Sequence, residues 1–238
     1  MIDLHSHILP DLDDGASSWE EAVQMCSAAF QDGTRTMVAT PHVFNGIYSP
    51  KSEQIEEKIS ELKNRLFLEG IDLEIVQGAE VHVRPDLPLL MSEDPILTFN
   101  GKGRYFLLEF PHSVIPPNAD QFIFKLMTQN LIPVIAHPER NLSVQSRPEI
   151  LEPLVKQGAL TQVTAMSFTG GFGPQTRDVA CELLRRNLVH VVASDAHNSR
   201  GRPPLLSDAR KRIIDLVGFE KSRELFEVFP RKILEGAL

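Results

Sequence analysis

Short apolar runs alternate along this chain with longer segments whose apolar residues recur every three to four positions. The runs at Ile2–Ser6, Thr36–Thr40, Leu73–Ala79, Tyr105–Phe110, Pro133–Ala136, Leu160–Thr164 and Val189–Ser194 have the length and the β-branched and aromatic content of buried strands. The intervening segments read as helices. Ser18–Gln31 is the clearest: Ser17 with Glu20, and Ser18 with Glu21, both fit a capping box, and Gly33 fits the stop. Lys51–Glu69 carries Ile55, Ile59, Leu62 and Leu66 on one face. Asn118–Asn130, Pro148–Gln157, Gln175–Asn187, Leu205–Val217 and Glu220–Leu234 complete the set. Seven strands alternating with helices predict an α/β fold with parallel strands, either doubly wound or closed into a barrel. Both architectures place the active site at the carboxyl ends of the strands.

Ionisable residues gather at those ends. His5 and His7 close the first run, His42 follows the second, Glu80 the third, Glu109 ends the fourth, His137 the fifth, and Asp195 with His197 the seventh; Asp14 lies in the loop after the first. A charge at the end of an apolar strand is costly to desolvate unless it is paired or bound to metal. A single such group is ordinarily a hydrogen-bonded surface residue, but six strands out of seven ending this way on one rim call for a shared cause. In an extended strand, residues two apart point to the same side, so His5 with His7, and Asp195 with His197, are each placed to aim at one ion. The donor set is all nitrogen and oxygen, suited to Mn, Fe, Co or Zn, and nine donors are enough for two or three ions with a bridging carboxylate. His82, His112 and His190 fall outside this set, and His190 reads as structural.

Composition narrows the classes. The 238 residues, 42% hydrophobic and without a low-complexity linker, fit one domain spanning 1–238. No apolar run reaches the length of a membrane span, and Asp3, Asp11, Asp13 and Asp14 interrupt any resemblance to a secretory leader, so a cytoplasmic protein without membrane insertion is expected. A net charge of −8 argues against nucleic acid as a partner. The two cysteines, Cys26 and Cys181, sit in amphipathic stretches as small hydrophobes, and neither has the C-x5-R surroundings of a cysteine phosphatase.

The motifs His5-Ser6-His7, Pro41-His42, Glu80, His137-Pro138 and Asp195-Ala196-His197 resemble the polymerase and histidinol phosphatase (PHP) family of metallohydrolases. Within it, His5-Ser6-His7-Ile8-Leu9-Pro10, Asp13-Asp14-Gly15-Ala16, Gly78-Ala79-Glu80, Leu108-Glu109-Phe110, His137-Pro138-Glu139-Arg140, Asp195-Ala196-His197-Asn198 and Gly201-Arg202-Pro203-Pro204 resemble, in order and across nearly the whole chain, the bacterial manganese-dependent protein-tyrosine phosphatases of capsule and exopolysaccharide loci. The resemblance implies a distorted (β/α)7 barrel and a trinuclear centre. One ion would take His5, His7, Glu80 and Asp195, a second Glu80, Glu109 and His137, and a third Asp14, His42 and His197. It implies hydrolysis of phosphotyrosine on an autophosphorylating bacterial tyrosine kinase by metal-activated hydroxide, without a cysteine intermediate. Glu80 and Asp195 would serve catalysis as well as metal binding, and Arg140 and Arg202 would bind the phosphate. Tyr48, Phe168 and Phe172, with Phe44, are the candidate walls for the aromatic ring, and Thr164–Gly173 is expected as a βα loop beside them. The rival readings are a small-molecule phosphomonoesterase such as a histidinol phosphatase, and a non-catalytic kinase-binding regulator. No general acid is evident, and a homo-oligomer is left open.

Overall fold

In the computed structural model, which describes residues 1–237, the seven runs become nine strand segments, all parallel where they pair. They are β1 (Ile2–Ser6), β2 (Thr36–Ala39), β3 (His42–Val43), β4 (Glu74–Gln77), β5 (Glu80–His82), β6 (Tyr105–Glu109), β7 (Ile132–Ala136), β8 (Leu160–Thr164) and β9 (Val191–Ala193). Leu238, the last residue of the expected domain, lies outside the described residues. The second and third expected strands are each followed, after a short break, by a further segment beyond their expected ends. Pro41 has no N–H to give the ladder, and the chain resumes as β3 beside β5. At the other break, Gly78 is held so close to β2 that a Cβ would meet Val38 at 2.8 Å.

The strands form two ladders, β1-β2-β4 and β3-β5-β6-β7-β8-β9, running in chain order. Backbone bonds carry the circuit across the gaps: Glu80 N–H reaches Pro41 O at 3.0 Å, Asp195 N–H reaches His5 O at 2.8 Å and His7 N–H reaches Ala196 O at 2.8 Å. The last two join the first strand to the end of the last. The result is a distorted (β/α)7 barrel with an interrupted ladder.

Alternation along the strands sorts the apolar residues into two clusters. Leu4, Val38, Val76, Tyr105, Leu107, Val134 and Val191 form the inner one, with Phe99 and the C-terminal Ile233 and Leu234. Met37, Ile75, Phe106, Leu108, Ile135 and Val192 point outward against Met25, Leu62, Ile123, Leu183 and Ile213 of the helices. Each of these fully buried side chains contributes roughly 1.5–3 kcal/mol. Among the described residues, no helix is long and apolar enough to cross a membrane.

The helices follow the apolar periodicity with shifted ends, as at Trp19–Gln31, Ser52–Leu68, Ala119–Thr128, Pro174–Arg185 and Ser207–Val217. At the first, Ser18 accepts the N–H of Glu21, but the Glu21 carboxylate returns to Ser17 rather than Ser18, and the expected Ser17–Glu20 box does not form. Thr164–Gly173 is not a loop throughout: Ala165–Thr169 is a helical turn ended by Gly170 at φ 87°.

Candidate metal centre

The same alternation that fills the inner cluster sets the candidate ligands above it. On β6, Glu109 continues the row of Tyr105 and Leu107; after β9, Asp195 continues that of Val191 and Ala193; Glu80 and His42 continue those of Val76 and Val38 across the two breaks. His137 and Asp195 leave their strands with φ of 32° and 52°, in the left-handed region that non-glycine residues seldom occupy. Such strain gathers at functional sites, where surrounding bonds hold it.

The first strand does not bring His5 and His7 together as a flat ribbon would. Asp3 pairs with Met37 and Ser6 with Ala39, so β1 holds one extra residue, a bulge. Leu4 therefore joins the inner cluster while His5 also reaches the centre, its Nε2 3.0 Å from His7 Nε2. The fully buried Asp3 ties the bulged strand to the end of β9: its Oδ1 accepts the N–H of His5 at 3.3 Å and of Ser194 at 2.9 Å. Burial pushes the Asp3 carboxyl up to about 6 in spite of these bonds.

The nine expected ligands converge. Glu80 Oε2 lies 3.3 Å from His5 Nε2, 3.4 Å from His7 Nε2 and 3.0 Å from His42 Nδ1, while Glu80 Oε1 lies 2.8 Å from His137 Nε2. Asp195 Oδ1 is 3.4 Å from His5 Nε2 and 3.6 Å from His7 Nε2. Asp14 Oδ1 stands 3.5 Å from His42 Nε2 and 3.6 Å from His197 Nε2, and Glu109 Oε2 is 3.8 Å from His42 Nδ1. One compact grouping, His5 with His7 and Glu80, lies inside the first expected set, and the other three cut across the sets. His7 joins Asp14, His42 and His197; Glu109 falls with His42 and Glu80; His137 falls with His5 and Asp195.

The donor set fits divalent cations on three counts. Glu80 Oε2 is completely buried among three imidazole nitrogens yet makes a directional hydrogen bond to none of them. Three rings have Nδ1 tied to fixed acceptors: His5 to Gln162 Oε1 at 3.0 Å, His7 to Asp13 Oδ2 at 2.6 Å and His197 to the Asp195 carbonyl at 3.0 Å. In its neutral form each therefore turns the Nε2 lone pair toward the centre. Glu80, Asp195 and His197 are ready in charge, whereas His7 and His42 must shed a proton to bind a cation: burial opposes their charge, but Asp13 at His7 and Glu80 at His42 outweigh it and raise both. Burial works against ionised Glu80, but His5 and His137 hold its carboxyl well below the usual range. Burial likewise opposes Asp195, and Arg140, His5 and Arg202 outweigh it. Burial and the neighbouring His7 push His197 down to about 2, leaving a neutral ring.

Above the donors opens a cleft of about 310 Å³, lined on its apolar side by Phe110, Ile115, Ile135 and Phe172. Arg140 and Arg202 both end on Asp195 Oδ2, the Arg202 contact at 2.6 Å, and both guanidinium groups lie over the Phe172 ring at 4.9 and 5.8 Å. Neither Nε has a hydrogen-bond partner among the described residues. Asp195 thus faces the imidazoles with one oxygen and holds two arginines with the other.

Phe172 sits in this cleft; the other expected ring walls do not. Phe168 is 1% exposed and packs in the outer core, because the turn Ala165–Thr169 rotates it inward. Phe44 packs against the same core under Arg84. Tyr48 stacks on His42 at 6.3 Å instead of lining the cleft. His82, outside the expected ligands, places Nδ1 3.2 Å from Glu109 Oε2, and His112 lines the cleft mouth. His190 lies apart, bonded to Thr161.

Four buried polar residues were not anticipated. Asp13, beside the exposed Asp14, holds His7 and also accepts the N–H of His42 and Gly15. Burial opposes its charge, but His7 overrides this and lowers its carboxyl to about 2. Gly15 is required where it stands, since a Cβ would meet His7 O at 2.1 Å. Glu139 caps the Ala165–Thr169 turn through Thr164 N–H at 3.1 Å and Ser167 Oγ at 2.6 Å. Gln162 and Asp3 complete the four.

Comparison with known proteins agrees with this geometry. The tyrosine-protein phosphatase YwqE of Bacillus subtilis is 40% identical over 202 residues, 85% of this chain and 79% of its own. The tyrosine-protein phosphatase CpsB of Streptococcus pneumoniae is 34% identical over 243 residues, covering 100% of both. A solved chain from the crystal structures of YwqE and CpsB, described as unique metal-dependent tyrosine phosphatases, superposes with a TM-score of 0.96 at 36% identity over 100% of this chain and 96% of that one. The lactonase Lmo2620 of Listeria monocytogenes, at 14% identity and a TM-score of 0.59 over 98% of this chain and 94% of its own, shares the fold alone. The family described as capsular polysaccharide synthesis, CpsB/CapC, matches residues 1–235, and the chain belongs to it.

Proposed function

We propose that this chain is a single-domain, metal-dependent protein-tyrosine phosphatase acting in the cytoplasm on an autophosphorylating bacterial tyrosine kinase that regulates capsule or exopolysaccharide synthesis. The observation that carries the reading is the nine-donor nitrogen and oxygen cluster roofed by two arginines that share one carboxylate oxygen. His5, His7, Asp14, His42, Glu80, Glu109, His137, Asp195 and His197 would hold two or three divalent ions, Mn first, with Fe, Co or Zn as alternatives. Such ions supply Lewis acidity toward phosphate oxygens and a water acidic enough to attack near neutral pH.

The protein's own part is placement. Arg140 and Arg202 offer guanidinium donors matched to phosphate oxygens, and Asp195 keeps both from swinging away. Phe110, Ile115 and Phe172 give a phenyl ring an apolar wall beside them. A cysteine nucleophile has no support: Cys26 is fully buried and burial pushes its thiol up to about 12, and neither cysteine lines the cleft.

The test is turnover of a phosphotyrosyl peptide by the purified protein after EDTA treatment and again after Mn is restored. Activity should vanish and return, and Cys26→Ser with Cys181→Ser should leave it intact. Preference for histidinol phosphate over the peptide would overturn the substrate assignment. Full turnover by a folded Glu80→Ala variant would overturn the catalytic one and leave a binding regulator.

A further inference from the structure

We infer that Gln162, on the one of the seven expected strands whose end carries no candidate ligand, is a positioning residue that fixes the tautomer of His5 and holds the backbone of His137. Gln162 is fully buried on β8, and its Oε1 lies 3.0 Å from His5 Nδ1 and 3.2 Å from the backbone nitrogen of His137. These two contacts determine each other. The backbone nitrogen of His137 can only donate, so the side-chain oxygen, not the amide nitrogen, must face it. That same oxygen then faces His5, whose Nδ1 must carry the proton. In the neutral ring His5 Nε2 is then left as a lone pair, directed at Glu80, Asp195 and His7 Nε2.

The second contact matters because His137 sits in the left-handed region, where its N–H cannot continue the ladder. Gln162 receives it. One neutral side chain thus spans two candidate ligands on different strands, without adding a negative charge beside Glu80 and Asp195. The arrangement is not explained by stability, since Gln162 Nε2 is buried without a hydrogen-bond partner. With Gln162 counted, each of the seven expected strands contributes to the centre, from within it or from the residues just after it.

For its metal readout the inference rests on the metal centre of the proposed function; its tautomer readout does not. Two-bond proton–nitrogen correlation on ring-labelled, metal-free protein at mildly alkaline pH reads the tautomer, with His5→Ala assigning the signal. The wild type should show His5 protonated at Nδ1, and an Nε2–H tautomer there overturns the inference without any variant. Gln162→Met should lose the preference and weaken Mn affinity, followed by titration, by about 10–100-fold, as for other outer partners of metal ligands. Its kcat at saturating Mn should stay within about threefold of the wild type, because the chemistry of the filled site is unchanged. Gln162→Glu, which keeps the acceptor, should retain the tautomer. Mn affinity within twofold of the wild type in Gln162→Met overturns the inference. Unchanged Mn affinity in His5→Ala would instead overturn the metal assignment, with the tautomer result standing on its own.

Discussion

The lower and upper halves of the same barrel are built from the same strands to opposite rules. Below, inward residues such as Leu4, Val38, Leu107, Val134 and Val191 pack in one apolar cluster with Phe99, Ile233 and Leu234. Above, two to four residues further along, the inward positions are Glu80, Glu109 and Asp195, with histidines between them. The apolar half satisfies itself by packing. The ionisable half needs cross-ties, and four of its nine donors have one from outside the cluster: Asp13 on His7, Gln162 on His5, His82 on Glu109, and two arginines on Asp195. The division suggests that stability and chemistry can be perturbed separately.

The sharpest test of that division is Glu80→Ala. Both Glu80 oxygens contact imidazoles, so phosphatase turnover should fall by on the order of 10³-fold or more. The melting temperature of the metal-free variant should stay near that of the wild type at mildly alkaline pH, because rings that lose a counter-charge can shed a proton. A large loss of stability would mean that the upper half is structural too. Leu107→Ala makes the opposite cut. It should cost about 2–5 kcal/mol in denaturant unfolding while kcat per folded molecule stays within about threefold. Arg202→Lys falls between them. Arg202 touches both Asp195 Oδ2 and the Asp195 carbonyl through Nη2; a lysine nitrogen can replace that atom but brings no second, planar donor for a phosphate oxygen, so kcat/KM should drop about 10–100-fold with folding unaffected.

The candidate ligands were legible in the sequence because a charged residue ending an apolar run is visible without knowing how strands pair. What lay beyond depended on geometry that alternation does not encode. The bulge in β1 is unmarked in Asp3-Leu4-His5, and only pairing with β2 shows that Leu4 and His5 both turn inward. In Asp11-Leu12-Asp13-Asp14 three carboxylates look alike. The fold-back that brings Gly15 against His7 is what buries Asp13 and leaves Asp14 at the rim. Phe168 looked like a wall because the segment after β8 reads as a loop; a single helical turn under Glu139 sends it into the core. Gln162 has no charge to set it apart in the sequence, although a glutamine in Leu160–Thr164 is itself a buried polar residue in need of partners.

His190 tests whether every histidine near a strand follows the rule of the upper half. It sits at the other end of its strand from Asp195, and its Nδ1 accepts the N–H of Thr161 at 3.2 Å. The ring must be neutral there. Burial, and secondarily the charge of Lys221, lowers its pKa from 6.5 to about 4. Between those values the unfolded chain binds more protons than the folded one. The contribution of His190 is therefore fully present above pH 6.5 and is lost as pH falls toward 4. For a partly exposed ring the loss should amount to about 1–2 kcal/mol. Asparagine offers an acceptor where Nδ1 stands but does not titrate, so in His190→Asn the unfolding free energy should decline less than in the wild type across this interval. Metal-free protein should be compared, so that titration of the upper cluster cancels between the two. Equal declines would mean that His190 is held by its surroundings in either charge state and that its neutrality is not part of what stabilises the lower half.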